Sequence, residues 1–359
     1  MTHKVLLAAG GTGGHMFPAQ SLTENLKAKG WEVALMTDAR GQKHSGRIPA
    51  DKIIEVQAAS ISPRKPIQAF LGILKLVKGV RQAKAFIREW APDIVVGFGG
   101  YPAFPAMRAA QSMGLPTILH EQNAVLGRVN RVFAAKATHV VSGFDVLEKV
   151  SPKAKVQSLG NPMRAQIMEA VPASYTLPKD SLDLLCVGGS LGARILSQTI
   201  PKAIALLPDD LRSRIKVVQQ TTESEVEAAR AVYAGIGVEA ICETFFSDIE
   251  IHLAKAHYII ARAGASSVSE IALMGKPSLL IPLAIAMDDH QTVNARSLER
   301  HGAADILPES EFTPESVANI LQDRLNDSNW LSSAAASARA LGRPNAAQDL
   351  AQLVIATLN

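Results

Sequence analysis

Cysteine is almost absent. Cys186 and Cys242 are the two in 359 residues, far apart and without C-x-x-C spacing. That excludes a disulfide framework and a thiolate zinc site, and predicts a reducing compartment. Aromatic residues are scarce, at 5%, which argues against a nucleic-acid binder that stacks bases. No apolar run reaches the ~18 residues of a transmembrane helix. The apolar stretch of Met1–Ala9 is too short for a signal peptide before glycines interrupt it. The expectation is a soluble or peripheral protein of the cytoplasm. D-x-D and H-E-x-x-H are both missing, so no metal is expected, and the serines read as ligands rather than nucleophiles.

Apolar residues make up 47% of the chain, ample for a buried core, and the length suits about two domains at ~150 residues each. Lys4–Ala9, Glu32–Thr37, Asp93–Gly97, Thr117–His120 and Thr138–Val141 read as buried strands. Gln20–Lys29, Ala103–Met113 and Gly127–Ala135 read as the helices between them. The second half repeats the alternation, with strands at Leu182–Val187, Ile215–Gln219, Tyr258–Ala261 and Pro277–Ile281. Its helices lie near Ala193–Leu206, Glu223–Tyr233, Ser267–Met274 and Gln291–Arg300. Such alternation predicts parallel sheets with helices on both faces. The proline-rich, aperiodic stretch Asn161–Lys179 reads as the linker. The expected domains are 1–163 and 164–340, with a C-terminal helix in 344–359 packing back on the first.

Two glycine turns echo each other 178 residues apart, Gly10-Gly11-Thr12-Gly13-Gly14 and Gly188-Gly189-Ser190-Leu191-Gly192, each after the first strand of its half. A turn of this kind brings backbone N–H groups to a phosphate at a helix N-terminus; the bland alternative is a tight strand-to-helix turn. Neither fits G-x-G-x-x-G, although Asp38 ends the second strand where a dinucleotide enzyme holds its ribose. His15 follows the first turn, with Pro18 suited to open the helix. It is a base candidate near neutral pH, or a helix-capping residue. His120-Glu121-Gln122-Asn123 places four polar side chains at a strand end, suited to sugar hydroxyls or simply a polar loop. In Arg262–Glu270, Ser266 and Ser267 offer an anion site and Glu270 a ribose acceptor, while Ser267-x-x-Glu270 also reads as a capping box. Asp288-Asp289-His290-Gln291 suits hydrogen bonding better than a metal.

Net charge is only +4, yet seven cations fall between residues 61 and 90 (Arg64, Lys65, Lys75, Lys78, Arg81, Lys84 and Arg88) against one acid, Glu89. On a helix, Phe70, Leu71, Leu74 and Val77 form one apolar stripe flanked by Lys75, Lys78 and Arg81. That pattern fits an interfacial element on anionic lipid; the alternative is a core-facing helix with solvated cations.

Taken in order, several motifs resemble the MurG family of peptidoglycan N-acetylglucosaminyltransferases, whose fold is GT-B. They are Gly10–Pro18, Gly97-x-Gly99-Gly100-Tyr101, His120–Asn123, Gly160-Asn161-Pro162-x-Arg164, Gly188–Arg194 and Gly264–Glu270. The likeness spans roughly residues 4–355. It implies two Rossmann-like doubly wound domains facing across a cleft. It also implies inverting transfer of GlcNAc from UDP-GlcNAc to the MurNAc C4 hydroxyl of lipid I, giving lipid II, with no cofactor. By the resemblance the donor meets Thr12, Gly13, Gly14, Asn123, Arg164, Ser190, Phe246, Gly264, Ala265, Ser266, Ser267, Glu270, His290 and Gln291. Uracil lies near Phe246 and the ribose on Glu270. The acceptor pyrophosphate faces Gly13, Gly14, His15, Gly99, Gly100 and Tyr101. With no D-x-D, helix N-termini and Arg164 are left to stabilise the departing diphosphate. His15 is the first candidate base and Glu121 the second. The implied partners are UDP-GlcNAc, lipid I, an anionic membrane surface and other cell-wall synthesis proteins, but no nucleic acid. The implied location is peripheral, on the cytoplasmic face of the inner membrane, with roles in cell shape and division. Leu191 and His290 depart from the family pattern, which commonly has Gln at each. The competing readings are another GT-B enzyme or a UDP-sugar epimerase, an NAD-dependent dehydrogenase using Asp38, and a nucleic-acid binder using residues 64–88.

Overall fold

The computed structural model describes residues 2–11, 13–46, 48–59, 66–189 and 193–358. The chain forms two compact units: Met1–Ala165 with Arg343–Asn359, and Gln166–Gly342.

Among the described residues, the first unit holds seven strands: β1 (Lys4–Ala8), β2 (Glu32–Thr37), β3 (Lys52–Glu55), β4 (Ile94–Gly97), β5 (Thr117–Glu121), β6 (His139–Ser142) and β7 (Val156–Ser158). They pair in the order β3-β2-β1-β4-β5-β6-β7, all parallel, with Leu6 beside Ala34 on one flank and Val95 on the other. Helices α1 (Gly13–Lys27), α2 (Ala39–Ser45), α3 (Pro66–Trp90), α4 (Gly100–Ser112) and α5 (Arg128–Ala134) connect them. Because helices cover both faces, the central strands carry continuous apolar runs rather than alternation: Val5, Leu6, Leu7 and Ala8 are all fully buried.

The second unit begins with α6 (Ala165–Glu169), whose first residue belongs to the first unit. It continues with β8 (Leu182–Val187), α7 (Arg194–Ala205), α8 (Asp209–Arg212), β9 (Ile215–Gln220), α9 (Val226–Gly235), β10 (Glu239–Glu243), α10 (Ile249–Lys255) and β11 (Tyr258–Ala261). It ends with α11 (Ala265–Met274), β12 (Ser278–Leu280), α12 (His290–Glu299), β13 (Ala304–Ile306), α13 (Pro314–Leu325) and α14 (Ser328–Leu341). Its sheet order is β10-β9-β8-β11-β12-β13, again all parallel. Both sheets therefore reverse strand order beside their own first strand, the arrangement of a doubly wound nucleotide-binding fold. The last helix, α15 (Ala346–Ala356), buries Leu350, Ala351 and Val354 in the first unit's core with Leu22 and Leu26 of α1.

Three local expectations change. Pro18 does not open α1 but lies inside it, because the helix already starts at Gly13. The glycines are thus its first turn, and their N–H groups are left without intrahelical acceptors. The boundary between the units, at Ala165 and Gln166, falls inside the expected linker Asn161–Lys179, but the stretch is structured rather than free: it contains α6, and Tyr175 donates its hydroxyl to the His257 carbonyl at 3.0 Å. Aperiodic sequence conceals such packing because single side chains, not a repeating face, carry it. The edge strands β3, β7, β10 and β13 were not foreseen. β7 is wholly exposed, β3 and β10 are mostly so, and β13 has only three residues, so no buried apolar run marks them.

Helix α3 settles the orientation of the apolar stripe. Its inner face carries Leu76, Ala83, Ile87 and Trp90, and Gly79 packs so closely that a methyl there would meet the Gln57 carbonyl and Pro105 of α4. The opposite face leaves Phe70 61%, Leu71 52%, Leu74 51% and Val77 44% exposed, with Lys75, Lys78 and Arg81 exposed around them. The core-facing reading of that stripe does not hold.

Candidate active site

In each unit the glycine turns sit where strand order reverses, at the carboxyl ends of the central strands. In the first unit β1 leads to Gly10-Gly11 and β4 leads to Gly99-Gly100. Gly11, Gly99 and Gly100 have φ of +86°, +82° and +71°, conformations that disfavour a side chain. Gly10 is required by crowding instead: an added Cβ would lie 2.6 Å from Pro102 and 2.9 Å from Asp38. Thr12, assigned to the donor by resemblance, lies outside the described residues.

His15, in the first turn of α1, is half-buried. Its Nδ1 lies 2.8 Å from Oε1 of Gln122. The opposite edge of the ring faces the second glycine turn, with Nε2 and Cδ2 each 3.5 Å from where a Cβ on Gly100 would stand. Gly13, Gly14, His15, Gly99 and Gly100 are thus brought together by the fold. Tyr101, grouped with them in sequence, packs instead against the apolar core under α4. Arg164 stacks its guanidinium 4.7 Å over the ring of Phe17 on α1, where the two attract.

The motif His120–Asn123 behaves differently from a sugar-reading polar edge. His120, Glu121 and Gln122 are buried and only Asn123 is half-buried, because β5 runs on to Glu121 under cover on both faces. Glu121 Oε2 accepts from the Gly127 backbone at 2.8 Å and from Asn130 Nδ2 at 2.9 Å, while Oε1 accepts from the Asn123 backbone at 3.2 Å and Asn123 Nδ2 at 3.3 Å. A buried carboxylate must find such donors. Engaged at both oxygens, Glu121 orders the loop into α5, and His15 is the base candidate with an exposed edge. Asn130 lies in no motif; only the fold reveals that it supports Glu121.

Asp38 has a structural role as well. It caps α2, accepting from the Gly41 N–H at 2.9 Å, and pairs with Arg40 at 3.2 Å. That explains its position at the end of β2 without a ribose.

In the second unit, β8 leads to Gly188 and Gly189, the latter at φ +86°, and the Gly188 N–H donates to Gln220 at 3.2 Å. Ser190, Leu191 and Gly192 lie outside the described residues. After β11, Gly264 is the N-cap of α11, followed by Ala265, Ser266 and Ser267 in the first turn, with no side-chain cap and no acid there. The helix therefore begins two residues before the expected start. Ser267 is a helical residue rather than a cap, so the capping box with Glu270 does not form. The open first turn retains N–H donors and a positive dipole end, both suited to an anion. Buried Asn294 of α12 braces this loop, donating to the Ala263 carbonyl at 3.1 Å. Arg262 is buried beneath it, donating to the Ile281 carbonyl at 3.2 Å.

The other donor candidates vary in availability. Phe246 is buried edge-on against His252, with ring centroids 4.9 Å apart, whereas its neighbour Phe245 is 73% exposed. His290 Nδ1 is 2.7 Å from the Met287 carbonyl, so that nitrogen carries hydrogen and Nε2 is the edge left for another partner. Gln291 accepts from the Leu283 N–H at 3.0 Å, tying its own loop. Asp288 and Asp289 adopt φ near +57° and +55° in that loop. Among the described residues, no group of three or more His, Cys, Asp or Glu is placed to share a metal ion, and no helix is long and apolar enough to cross a membrane.

The two doubly wound sheets, each with glycine turns at its switch point and a helix N-terminus beside them, define the class of doubly wound α/β proteins that bind nucleotide-type ligands. Comparison with known proteins narrows this. The N-terminal domain of glycosyltransferase family 28 matches residues 5–142, and its C-terminal domain matches residues 184–353. The chain is 50% identical over 355 residues to the UDP-N-acetylglucosamine--N-acetylmuramyl-(pentapeptide) pyrophosphoryl-undecaprenol N-acetylglucosamine transferase of Maricaulis maris, covering 98% of this chain and 96% of that one. It is 45% identical to the protein of the same name from Caulobacter vibrioides, covering 99% of each. Among solved structures it resembles the crystal structure of Acinetobacter baumannii MurG, with TM-score 0.81 and 30% identity over 99% of both chains. The chain belongs to glycosyltransferase family 28, and within it to the MurG family of N-acetylglucosamine transferases.

Proposed function

We propose that this protein transfers GlcNAc from UDP-GlcNAc to the MurNAc C4 hydroxyl of undecaprenyl-pyrophosphoryl-MurNAc-pentapeptide, lipid I, forming lipid II with inversion. The observation that carries the reading is the identity of 50% along 98% of the chain to a transferase of that name. The dehydrogenase and epimerase readings have no such support, and Asp38 is occupied as a helix cap.

In this mechanism His15 Nε2 takes the proton of the C4 hydroxyl as that oxygen bonds to the anomeric carbon of GlcNAc. The bond from that carbon to the diphosphate breaks, and UDP leaves with the electron pair. The uncapped N-terminus of α11 lowers the energy of the departing charge, since preorganised N–H dipoles need no reorganisation during the reaction. Gly264, Ala265, Ser266 and Ser267 supply those groups, Glu270 accepts from the donor ribose, and Arg164 adds positive charge. His290 Nε2 and Asn123 are assigned to donor hydroxyls, and the exposed Phe245 or the backbone at Phe246 to uracil. Gly13, Gly14, Gly99 and Gly100 present N–H groups to the acceptor pyrophosphate.

The acceptor is a polyprenyl lipid, and the exposed face of α3 is the element suited to reach it. Its exposed apolar side chains, Phe70, Leu71, Ile73, Leu74 and Val77, ringed by Lys75, Lys78 and Arg81, match an interfacial helix on anionic lipid. This reading places the protein peripherally on the cytoplasmic face of the inner membrane. The deciding experiment is radiolabel transfer from UDP-GlcNAc to a short-chain lipid I analogue. Transfer to the analogue supports the assignment; turnover of UDP-GlcNAc alone, without acceptor, overturns it.

A further inference from the structure

A run of hydrogen bonds leads from His15 into the core, and its direction is fixed at two carbonyl oxygens. His120 Nε2 lies 3.1 Å from the Gly160 carbonyl. A carbonyl can only accept, so Nε2 carries the hydrogen and Nδ1 of the neutral ring is an acceptor. Facing Nδ1 at 3.0 Å is the amide nitrogen of Gln122. That same nitrogen lies 3.2 Å from the backbone carbonyl of His120, again an obligate acceptor. Two acceptors thus fix the Gln122 amide, nitrogen inward and oxygen outward. The oxygen meets His15 Nδ1 at 2.8 Å, so Nδ1 of His15 carries its hydrogen and Nε2 carries the lone pair. That lone pair is on the ring edge facing the Gly99-Gly100 turn.

We propose that Gln122 and His120 are positioning residues that set the tautomer of His15, so that Nε2 is the proton acceptor. The proposal rests on the assignment of His15 as the base. Gln122 was visible in sequence only as part of a polar run; its task is orientation rather than sugar recognition. When His15 takes a proton it bears hydrogen on both nitrogens and still donates to the Gln122 oxygen, so no link rearranges during turnover. This is the logic of a neighbour that holds a catalytic imidazole in the right tautomer and stabilises its cation, built here from an amide rather than a carboxylate.

The far end of the chain is rigid. Gly160 has φ +90°, and a Cβ there would collide with Arg343, so the carbonyl is presented from a glycine-only turn. Asn161 Nδ2 holds the Gln122 backbone carbonyl at 3.0 Å. His120 is fully buried beside Phe98, 5.7 Å between ring centroids, and burial pushes its pKa down to about 4. It therefore stays neutral, and the direction of the chain holds, across the neutral range.

The test is long-range ¹⁵N–¹H correlation NMR on the full-length protein with histidine labelled, at pH 7.5 without substrate. The expected result is hydrogen on Nδ1 of His15 and on Nε2 of His120. Hydrogen on Nε2 of His15 in the unaltered protein overturns the proposal outright. Gln122→Leu is expected to release the His15 tautomer and to lower kcat by at least about tenfold, with the KM for UDP-GlcNAc unchanged. His120→Gln preserves a donor toward Gly160 and an acceptor toward Gln122, so it is expected to keep both the tautomer and most of kcat, whereas His120→Leu loses both. Equal loss in the two folded His120 variants overturns the directional role. A released tautomer with unchanged kcat in Gln122→Leu overturns His15 as the base while leaving the chain itself in place, which separates the two readings.

Discussion

The two units share a strand order and a glycine turn after the first strand, yet their switch points are furnished differently. In the first, the turn is backed by buried polar side chains, with His15, Gln122 and His120 in line and Glu121 ordering the next loop. In the second, the turn is accompanied by the uncapped first turn of α11; nearby, buried Asn294 bonds to the Ala263 carbonyl, and buried Arg262 bonds to backbone carbonyls and pairs with Glu309. One site holds a group able to move a proton; the other holds oriented N–H dipoles able to receive charge. The surfaces differ as well. In the first unit exposed apolar residues cluster on one helix, α3, with Ile53, Val132, Val146 and Val156 standing singly elsewhere, whereas in the second they are all spread over separate elements such as Leu206, Ile241, Phe245 and Ile285. A common backbone thus carries two differently furnished switch points, and the side chains, not the fold, decide what each can do.

If this division holds, the largest effect belongs to the base. His15→Ala is expected to lower kcat by about 10²–10⁴-fold with donor affinity unchanged, measured by steady-state kinetics and UDP-GlcNAc titration. A fall of less than about tenfold would return His15 to a structural role and blur the contrast between the units.

The membrane face comes next. Reversing the charge of Lys75, Lys78 and Arg81 removes about 1 kcal/mol of attraction per cation to anionic lipid, and more through repulsion. Sedimentation with anionic vesicles should show binding lost. Activity should fall on membrane-embedded acceptor and survive on a soluble short-chain one. Vesicle binding that persists at moderate salt would move the lipid-facing surface away from α3.

Burial of His120 carries a pH signature of similar size. Its folded pKa, about 4 against the ordinary 6.5, lies below the unfolded value because burial disfavours the charged ring, and His15 nearby adds to that. The unfolded chain therefore binds more protons as pH falls. The contribution is intact above about 6.5 and is lost between there and about 4, a matter of roughly 3 kcal/mol. Denaturant unfolding across that window should show the loss in the native protein and its absence in His120→Gln. The same slope in both would mean that other groups govern acid sensitivity.

The smallest expected effect lies in the second unit. Glu270→Ala should weaken UDP-GlcNAc by about 1.5–3 kcal/mol, the range for a hydrogen bond to a charged group, with kcat at saturating donor little changed. Unchanged affinity accompanied by a clear drop in melting temperature would assign Glu270 to the fold instead.

Much of this was legible beforehand. Strands such as Glu32–Thr37, Leu182–Val187 and Tyr258–Ala261 were read to the residue, because strands covered on both faces must be continuously apolar and are bounded by turn residues. The glycine turns were legible because close approach and positive φ admit little else. What could not be read was the use made of polar residues. Ser267-x-x-Glu270 has the spacing of a capping box, yet α11 starts at Ala265. Asp38 has the position of a ribose acid, yet it caps a helix.

The linear order of residues was sufficient for the doubly wound halves, the paired glycine turns and the family, since each follows from local periodicity, backbone sterics or a run of motifs. Only the tertiary structure decided which face of α3 meets solvent, because a 25-residue amphipathic helix with apolar residues on both sides can turn either toward the sheet. It alone decided the hydrogen placement on His15 too. That depends on a carbonyl 145 residues away in the chain, at Gly160, acting through His120 and Gln122. A hydrogen bond has a direction, and the direction is set wherever the chain of donors and acceptors meets a group that can act in one sense only.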